Sequence, residues 1–241
     1  GLIAQLSGKI TNKRYKYATV FIDQYSKCSL VHLQKTATAK ETLEGKHAFE
    51  CWAMDQGVPI RAYHADNGIF RAHEWVQDCY MHRQTLTFAG VGAHHQNGLA
   101  ENRIRLLQDL TRATIAHAHA MWPAAISAHL WPFAMQEVNR RLNETPSMQC
   151  PHRHSPLRKF GNTMIAPNTK HWIPFGTPAY VLENELQDKK PFHKWASRSH
   201  MGIYVGRSPI HSRNVALILD RTKGYVSPQF NMVHDAHCFS L

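Results

Sequence analysis

Along the first ninety residues, short apolar runs alternate with polar turns, and the spacing of the apolar positions changes from one run to the next. Residues 15–22 (YKYATVFI) are rich in aromatic and β-branched side chains and predict a strand. Residues 23–27 (DQYSK) have turn character, and 29–33 (SLVHL) predict the next strand, antiparallel to the first. Helical spacing takes over at 38–55, where Leu43, Ala48, Phe49, Trp52 and Ala53 share one face and Gly57 and Pro59 lie beyond its end. Residues 60–65 (IRAYHA) predict a short strand that runs straight into Asp66-Asn67-Gly68. Residues 70–82 predict a helix, with Phe70, Trp75, Val76 and Cys79 or Tyr80 on its buried side, and 85–89 (TLTFA) another strand. The glycine-rich stretch 90–98 predicts a mobile loop. Helices are expected at 99–119 and at 123–143, where Pro123 suits a first helical turn.

This order indicates an α/β fold, a mixed sheet with helices packed on it. Residues 144–172 contain Pro146, Pro151, Pro156, Gly161 and Pro167 and read as a linker. Beyond it, strands are expected at 179–182, 201–205, 215–219 and 225–232, punctuated by Gly202, Gly206 and Gly224, which fits a small, mostly β domain. Trp172, Trp195 and Tyr204 read as core of that domain. The expected division is 1–145 for a first domain, 146–172 for the linker and 173–241 for the second.

Charge narrows the class of partner. Lys and Arg outnumber Asp and Glu by 28 to 17, a formal charge of +11 over 241 residues. Such a balance is either an ordinary solvated surface or the footprint of a polyanion, for which phosphate neutralisation supplies sequence-independent affinity. No run approaches the roughly 20 apolar residues that cross a bilayer, and no secretory leader is evident, so an intracellular protein is expected. The five cysteines are scattered, without a CxxC pair, and read as reduced thiols.

Two carboxylates stand out. Asp66 closes a predicted strand, the end at which open α/β sheets present functional groups. Taken alone, Asp-Asn-Gly is also good turn chemistry. Glu101 lies in the first turns of a predicted helix, where a negative charge also simply complements the helix dipole. Together the two can meet at the rim of the sheet, and hard oxygen ligands there suit Mg²⁺ or Mn²⁺. Along the helix, Glu101, Arg105, Gln108 and Arg112 share one side, while Ile104, Leu107, Thr111 and Ile115 share the other and are expected to face the sheet. The plainer reading of that helix is an ordinary amphipathic one with a Glu101–Arg105 ion pair.

Several strings together resemble copia-type retrotransposon integrases: ATVFIDQYSK at 18–27, YHADNG at 63–68, HHQNGLAENRIR at 94–105, NETP at 143–146, GIYVGRSPIHSRNVALILD at 202–220 and GYVSPQF at 224–230. The resemblance spans essentially the whole chain. It implies a ribonuclease H-like core carrying three carboxylates, followed by a small mostly β C-terminal domain. By that match Asp66 is the second carboxylate and Glu101 the third, holding Mg²⁺ or Mn²⁺. Asp23 takes a structural role in a turn or cap. The first aspartate is expected upstream of this chain, which leaves the core's first strand missing or incomplete and the chain nearly inactive alone.

The resemblance also places Gln96 and Asn97 in an active-site loop, Asn97 doubling as a helix cap. It makes Arg105, with Arg112, a candidate DNA grip. Lys189, Lys190, Lys194, Arg198, Arg207 and Arg213 become a candidate basic surface. The implied partners are element ends, target DNA and further copies of the chain, and the implied location is a cytoplasmic particle and the nucleus. Three functions follow: an integrase performing metal-dependent strand transfer, a catalytically dead nucleic-acid-binding remnant of one, or a ribonuclease H-like nuclease.

Overall fold

The structure, a computed structural model, describes residues 2–7, 13–66, 68–90, 97–146, 148, 152–161, 172–188, 190–191, 193–212 and 214–235. Two compact units divide the chain, one of residues 1–110 with 138–167 and the other of 111–137 with 168–241. The division therefore passes through both long helices and not through the expected linker.

The first unit is built on a five-stranded sheet in the order β3-β2-β1-β4-β5. Its strands are β1 (Leu2–Ser7), β2 (Tyr17–Ile22), β3 (Ser29–Gln34), β4 (Ala62–Ala65) and β5 (Thr85–Phe88). The first three pair antiparallel, whereas β4 runs parallel to both β1 and β5. A strand thus occupies the centre of the sheet where the sequence led us to expect a missing or incomplete one. Its residues, LIAQLS, include no carboxylate.

Helices α1 (Ala39–Asp55) and α2 (His73–Met81) cover one face. The start of α1 is fixed by Thr38, whose side chain accepts the Glu41 N–H, while Glu41 reaches back to the Lys35 N–H at 2.7 Å. This reciprocal cap satisfies donors that the first helical turn otherwise leaves unpaired. Ile3, Phe21, Tyr63 and Ala65 point to this side and pack with Phe49, Phe70, Trp75 and Cys79. Burying each of the larger side chains contributes roughly 1.5–3 kcal/mol. Three expectations are corrected here: Ala48, Val76 and Tyr80 are exposed, Tyr80 at 79%. Their places on the buried faces are taken by Thr42, Gly45 and, unexpectedly, Lys46 on α1.

The opposite face of the sheet carries Ile22, which packs on Leu99, Ala100 and Ile104 of α3 (Gly98–Met121). It also carries Ser29, whose Oγ donates to Asn139 Oδ1 (2.5 Å) and whose carbonyl accepts from the Asn139 and Asn143 amides, both on α4 (Trp131–Glu144). The fourth long helix therefore starts later than expected, because residues 123–130 form a turn and a short 3₁₀ segment. The supposed linker contains α5 (Pro156–Gly161), whose Phe160 stacks on Trp52 at 5.1 Å.

The second unit has an antiparallel five-stranded sheet in the order β10-β6-β7-β8-β9. It comprises β6 (Pro178–Leu182), β7 (Ser199–Arg207), β8 (Ala216–Asp220), β9 (Val226–Gln229) and β10 (Met232–His234), with a short helix α6 (Asn184–Gln187) after β6. The single strand expected at 225–232 is two, divided at Phe230-Asn231. Ile203, Val205 and Leu219 pack against Ala118, Trp122, Ile126 and Ala134. Tyr204 is buried, Trp172 half-buried, and Trp195 is 83% exposed, so its assignment to the core was wrong. Among the described residues no helix is long and apolar enough to cross a membrane.

Candidate functional site

Asp66 follows the last residue of β4 and is exposed. Its Oδ1 accepts the Gly68 N–H at 3.1 Å, so the carboxylate shapes the tight turn that ends the strand. A side chain at Gly68 would meet that same oxygen at 3.3 Å. Glu101 is exposed in the first turn of α3.

Three links relate the two carboxylates. Ile3 of β1 is the register partner of Ala65, the residue before Asp66. The carbonyl of Ile3 accepts the side-chain amide of Asn97 at 3.1 Å. Asn97 immediately precedes α3, and Glu101 lies one turn further on. The start of α3 is therefore tied to the sheet beside the end of β4. The face agrees as well. Tyr63 and Ala65 point toward α1 and α2, so strand alternation turns His64, and then Asp66, toward the side on which α3 packs.

Further ties hold α3 in place. Arg103 is buried, and its Nη2 donates to the Lys27 carbonyl at 2.5 Å; burial lowers the pKa of its guanidinium. Lys27 closes the turn after β2 with a positive φ of 64°. Asp23 organises that turn by accepting from the Ser26 N–H (2.6 Å) and the Ser26 hydroxyl (2.7 Å), the structural role read from the sequence.

The exposed side of α3 holds Glu101 and Arg105, whereas Leu107 is buried and Ile104 half-buried. The pair imagined between Glu101 and Arg105 is not what forms: Arg105 Nη2 donates to Asn102 Oδ1 at 2.9 Å. Arg112 is exposed and belongs to the second unit. Asn97 does not cap the helix. Its amide is committed to Ile3, and its Oδ1, although buried, has no hydrogen-bond partner. Gln96, the rest of the loop at 91–95, Lys189 and Arg213 lie outside the described residues.

In the second unit Lys194 and Arg198 are exposed and Arg207 half-buried. Lys194 Nζ stands 5.2 Å from the ring of the exposed Trp195. Lys190 is bound to Asp188 at 2.9 Å. Two cations were missed from the sequence. Arg221 lies over Trp122 at 4.7 Å, and Lys223 over Tyr225 at 5.9 Å, on the turn between β8 and β9. Nothing in the spacing of 220–225 marks them, because their aromatic partners are set by the fold.

Among the described residues, no group of three or more His, Cys, Asp and Glu side chains could hold a metal ion. The donors available beside β4 are the carboxylates of Asp66 and Glu101 and the unpartnered oxygen of Asn97, an oxygen set of the kind hard divalent cations take.

No protein-family model matches the chain, and no curated protein is similar to it. Among solved structures, the chain is similar to one in the cryo-EM structure of the simian T-cell lymphotropic virus intasome in complex with PP2A regulatory subunit B56 gamma. The TM-score is 0.51 at 15% identity, covering 97% of this chain and 77% of that one. It also matches the HTLV-2 integrase catalytic core domain in complex with magnesium. The trimeric form gives a TM-score of 0.46 and the dimeric form 0.47, each at 19% identity over 66% of this chain and 95% and 93% of theirs. The likeness to the intasome chain is one of fold: this chain has an integrase-like, mixed α/β fold.

Proposed function

We propose that this chain is the catalytic-core and following region of a retrotransposon integrase, acting on DNA by metal-dependent phosphodiester strand transfer. In this reading the first unit's sheet is ribonuclease H-like, with β1 in the place of its first strand. The observation that carries the reading is the link from Asp66 through Ala65, Ile3 and Asn97 to the first turn of α3, which brings two carboxylates to one end of one sheet.

Asp66 and Glu101 would hold Mg²⁺ or Mn²⁺, and such an ion, when bound, stabilises the negative charge that develops on phosphoryl oxygens. The protein's own contributions are positional. Asn97 and Arg103 fix α3 against the sheet, so the carboxylate of Glu101 needs no reorganisation. Arg105, on the exposed side of α3, neutralises a phosphate beside the carboxylates. Gln96 borders the DNA end. In the second unit Arg112, Lys194, Arg198 and Arg207 bind the duplex backbone. Assembly of several copies on element ends and target DNA, and a life between a cytoplasmic particle and the nucleus, belong to the same reading.

One observation favours the second reading, a DNA-binding chain without catalysis: β1 offers no acidic residue to complete a three-carboxylate site. The two readings share DNA binding and differ in chemistry. The test is to incubate the chain with a labelled duplex and Mn²⁺, then to follow both mobility shift and products. The expectation is binding that weakens steeply with salt and little or no joining. Robust joining would remove the second reading, cutting without joining would favour a nuclease, and indifference to duplex DNA at low salt would overturn all three.

A further inference from the structure

His64 stands two residues before Asp66 and on the same side of β4, the side on which α3 packs. Its ring is held from one end. The Thr87 hydroxyl, on the neighbouring strand, donates to the Tyr63 carbonyl (3.4 Å), so its oxygen accepts from His64 Nδ1–H at 2.9 Å. Register makes this contact inevitable, because His64 and Thr87 are direct partners in the β4–β5 ladder. With the proton on Nδ1, the lone pair is on Nε2. That atom is buried and has no hydrogen-bond partner.

Asn97 Oδ1 is in the same condition, buried and unpartnered. The two atoms belong to one neighbourhood. Asn97 is bonded to Ile3, and the preceding residue of β1, Leu2, is the register partner of His64. Leaving two buried acceptors without donors costs about 1–3 kcal/mol each. A cation satisfies both. A histidine whose Nδ1–H is fixed by an oxygen while its Nε2 is free is also how metal-binding imidazoles are oriented.

We propose that His64, through Nε2, ligates a divalent cation together with Asp66, and that this nitrogen gives the site a preference for Mn²⁺ over Mg²⁺. The proposal rests on the reading of Asp66 as a ligand. Its chemistry is general: imidazole binds transition-metal ions well, whereas Mg²⁺ takes oxygen donors and keeps its waters.

The experiment measures Mn²⁺ and Mg²⁺ binding to the full chain, to His64→Asn and to Asp66→Asn, with no DNA present. Asparagine keeps an N–H for Thr87 and loses the Nε2 lone pair. The expected result is at least about tenfold tighter binding of Mn²⁺ than Mg²⁺ by the unaltered chain. In His64→Asn the Mn²⁺ affinity falls by about tenfold or more while that for Mg²⁺ changes little, and in Asp66→Asn both are lost. Electron spin echo modulation of Mn²⁺ on the unaltered chain adds a readout that needs no variant: an imidazole nitrogen coupled to the ion. No nitrogen coupling, with unchanged selectivity in His64→Asn but loss of binding in Asp66→Asn, overturns the role of His64 and leaves that of Asp66 standing. Binding of neither ion by the unaltered chain overturns both.

Discussion

The side-chain amide of Asn97 donates to the main-chain carbonyl of Ile3 at 3.1 Å, so the residue that opens α3 is fastened to the central strand of the sheet. The bond is buried and spans 94 positions of sequence. Replacing Asn97 by Leu leaves that carbonyl without a partner. We expect a loss of about 1–3 kcal/mol in stability, read from urea unfolding. We also expect weaker divalent binding, because Glu101 is no longer held beside β4. Unchanged binding in a folded Asn97→Leu chain would show that the tether does not position the carboxylate.

Lys46 is a second buried polar centre, away from the candidate site. Its ammonium is fully buried, bonded to Asp78 and, at 2.8 Å, to Glu50, and lies 5.4 Å from the Tyr63 ring. Glu50 also accepts from the Tyr63 hydroxyl (2.8 Å) and the Gln84 amide (2.6 Å). Removing one member of such a set leaves uncompensated charge. Lys46→Met is expected to cost about 3–5 kcal/mol, whereas Lys40→Met on the same helix should cost almost nothing. Equal stability of the two variants in thermal unfolding would contradict this account of the α1–α2 interface.

The same cluster sets an acid limit. Burial alone would raise the Asp78 carboxyl pKa, but hydrogen bonds from Lys46 and His47, with their charges, outweigh it and hold the carboxyl below its ordinary range. A pKa depressed in the folded state contributes stability above the unfolded value, about 3.9, that is lost as pH falls through the lower folded value. Stability should therefore drop below about pH 4, and Asp78→Asn should lower stability at neutral pH while flattening that drop. An identical acid profile in the variant would assign the limit to other carboxylates.

Gly202 of β7 has no room for a side chain. A Cβ there would meet Ile218 Cγ2 at 2.3 Å and the Leu219 carbonyl at 3.1 Å, both on β8. Gly202→Ala is expected to cost about 1–3 kcal/mol by overpacking, seen as a lower Tm. Gly224→Ala is strained for a different reason, its φ of +69°, with nothing nearby to clash. If Gly202→Ala left the Tm unchanged, the close approach of β7 and β8 would be disproved.

Much of the first unit was legible because its elements are locally encoded. Alternation at Tyr17–Ile22, the Thr38 cap and the turn at Asp66 are each decided within a few residues. Asp23 was correctly read as a turn residue for the same reason. What escaped was decided at a distance. β1 carries no strong pattern of its own and is a strand because it pairs with both β2 and β4. Lys46 reads as a surface residue until Asp78 and Glu50 close on it. Trp195 looked like core on hydrophobicity alone, yet nothing packs over it. His64 was overlooked beside the more conspicuous Asp66, although alternation along β4 already put the two on one face. The linker misled because Pro156 and Gly161, taken as breakers, are the two ends of α5.

The most direct test of the account is whether Asp66 and Glu101 grasp the same cation. Mn²⁺ affinity would be measured for Asp66→Asn, Glu101→Gln and the double variant. The account expects each single change to weaken binding by about tenfold or more, and the double variant to lose far less than the sum of the two, because partners at one site are not additive. Losses that simply add, or a Glu101→Gln chain that binds Mn²⁺ as the unaltered one does, would contradict it.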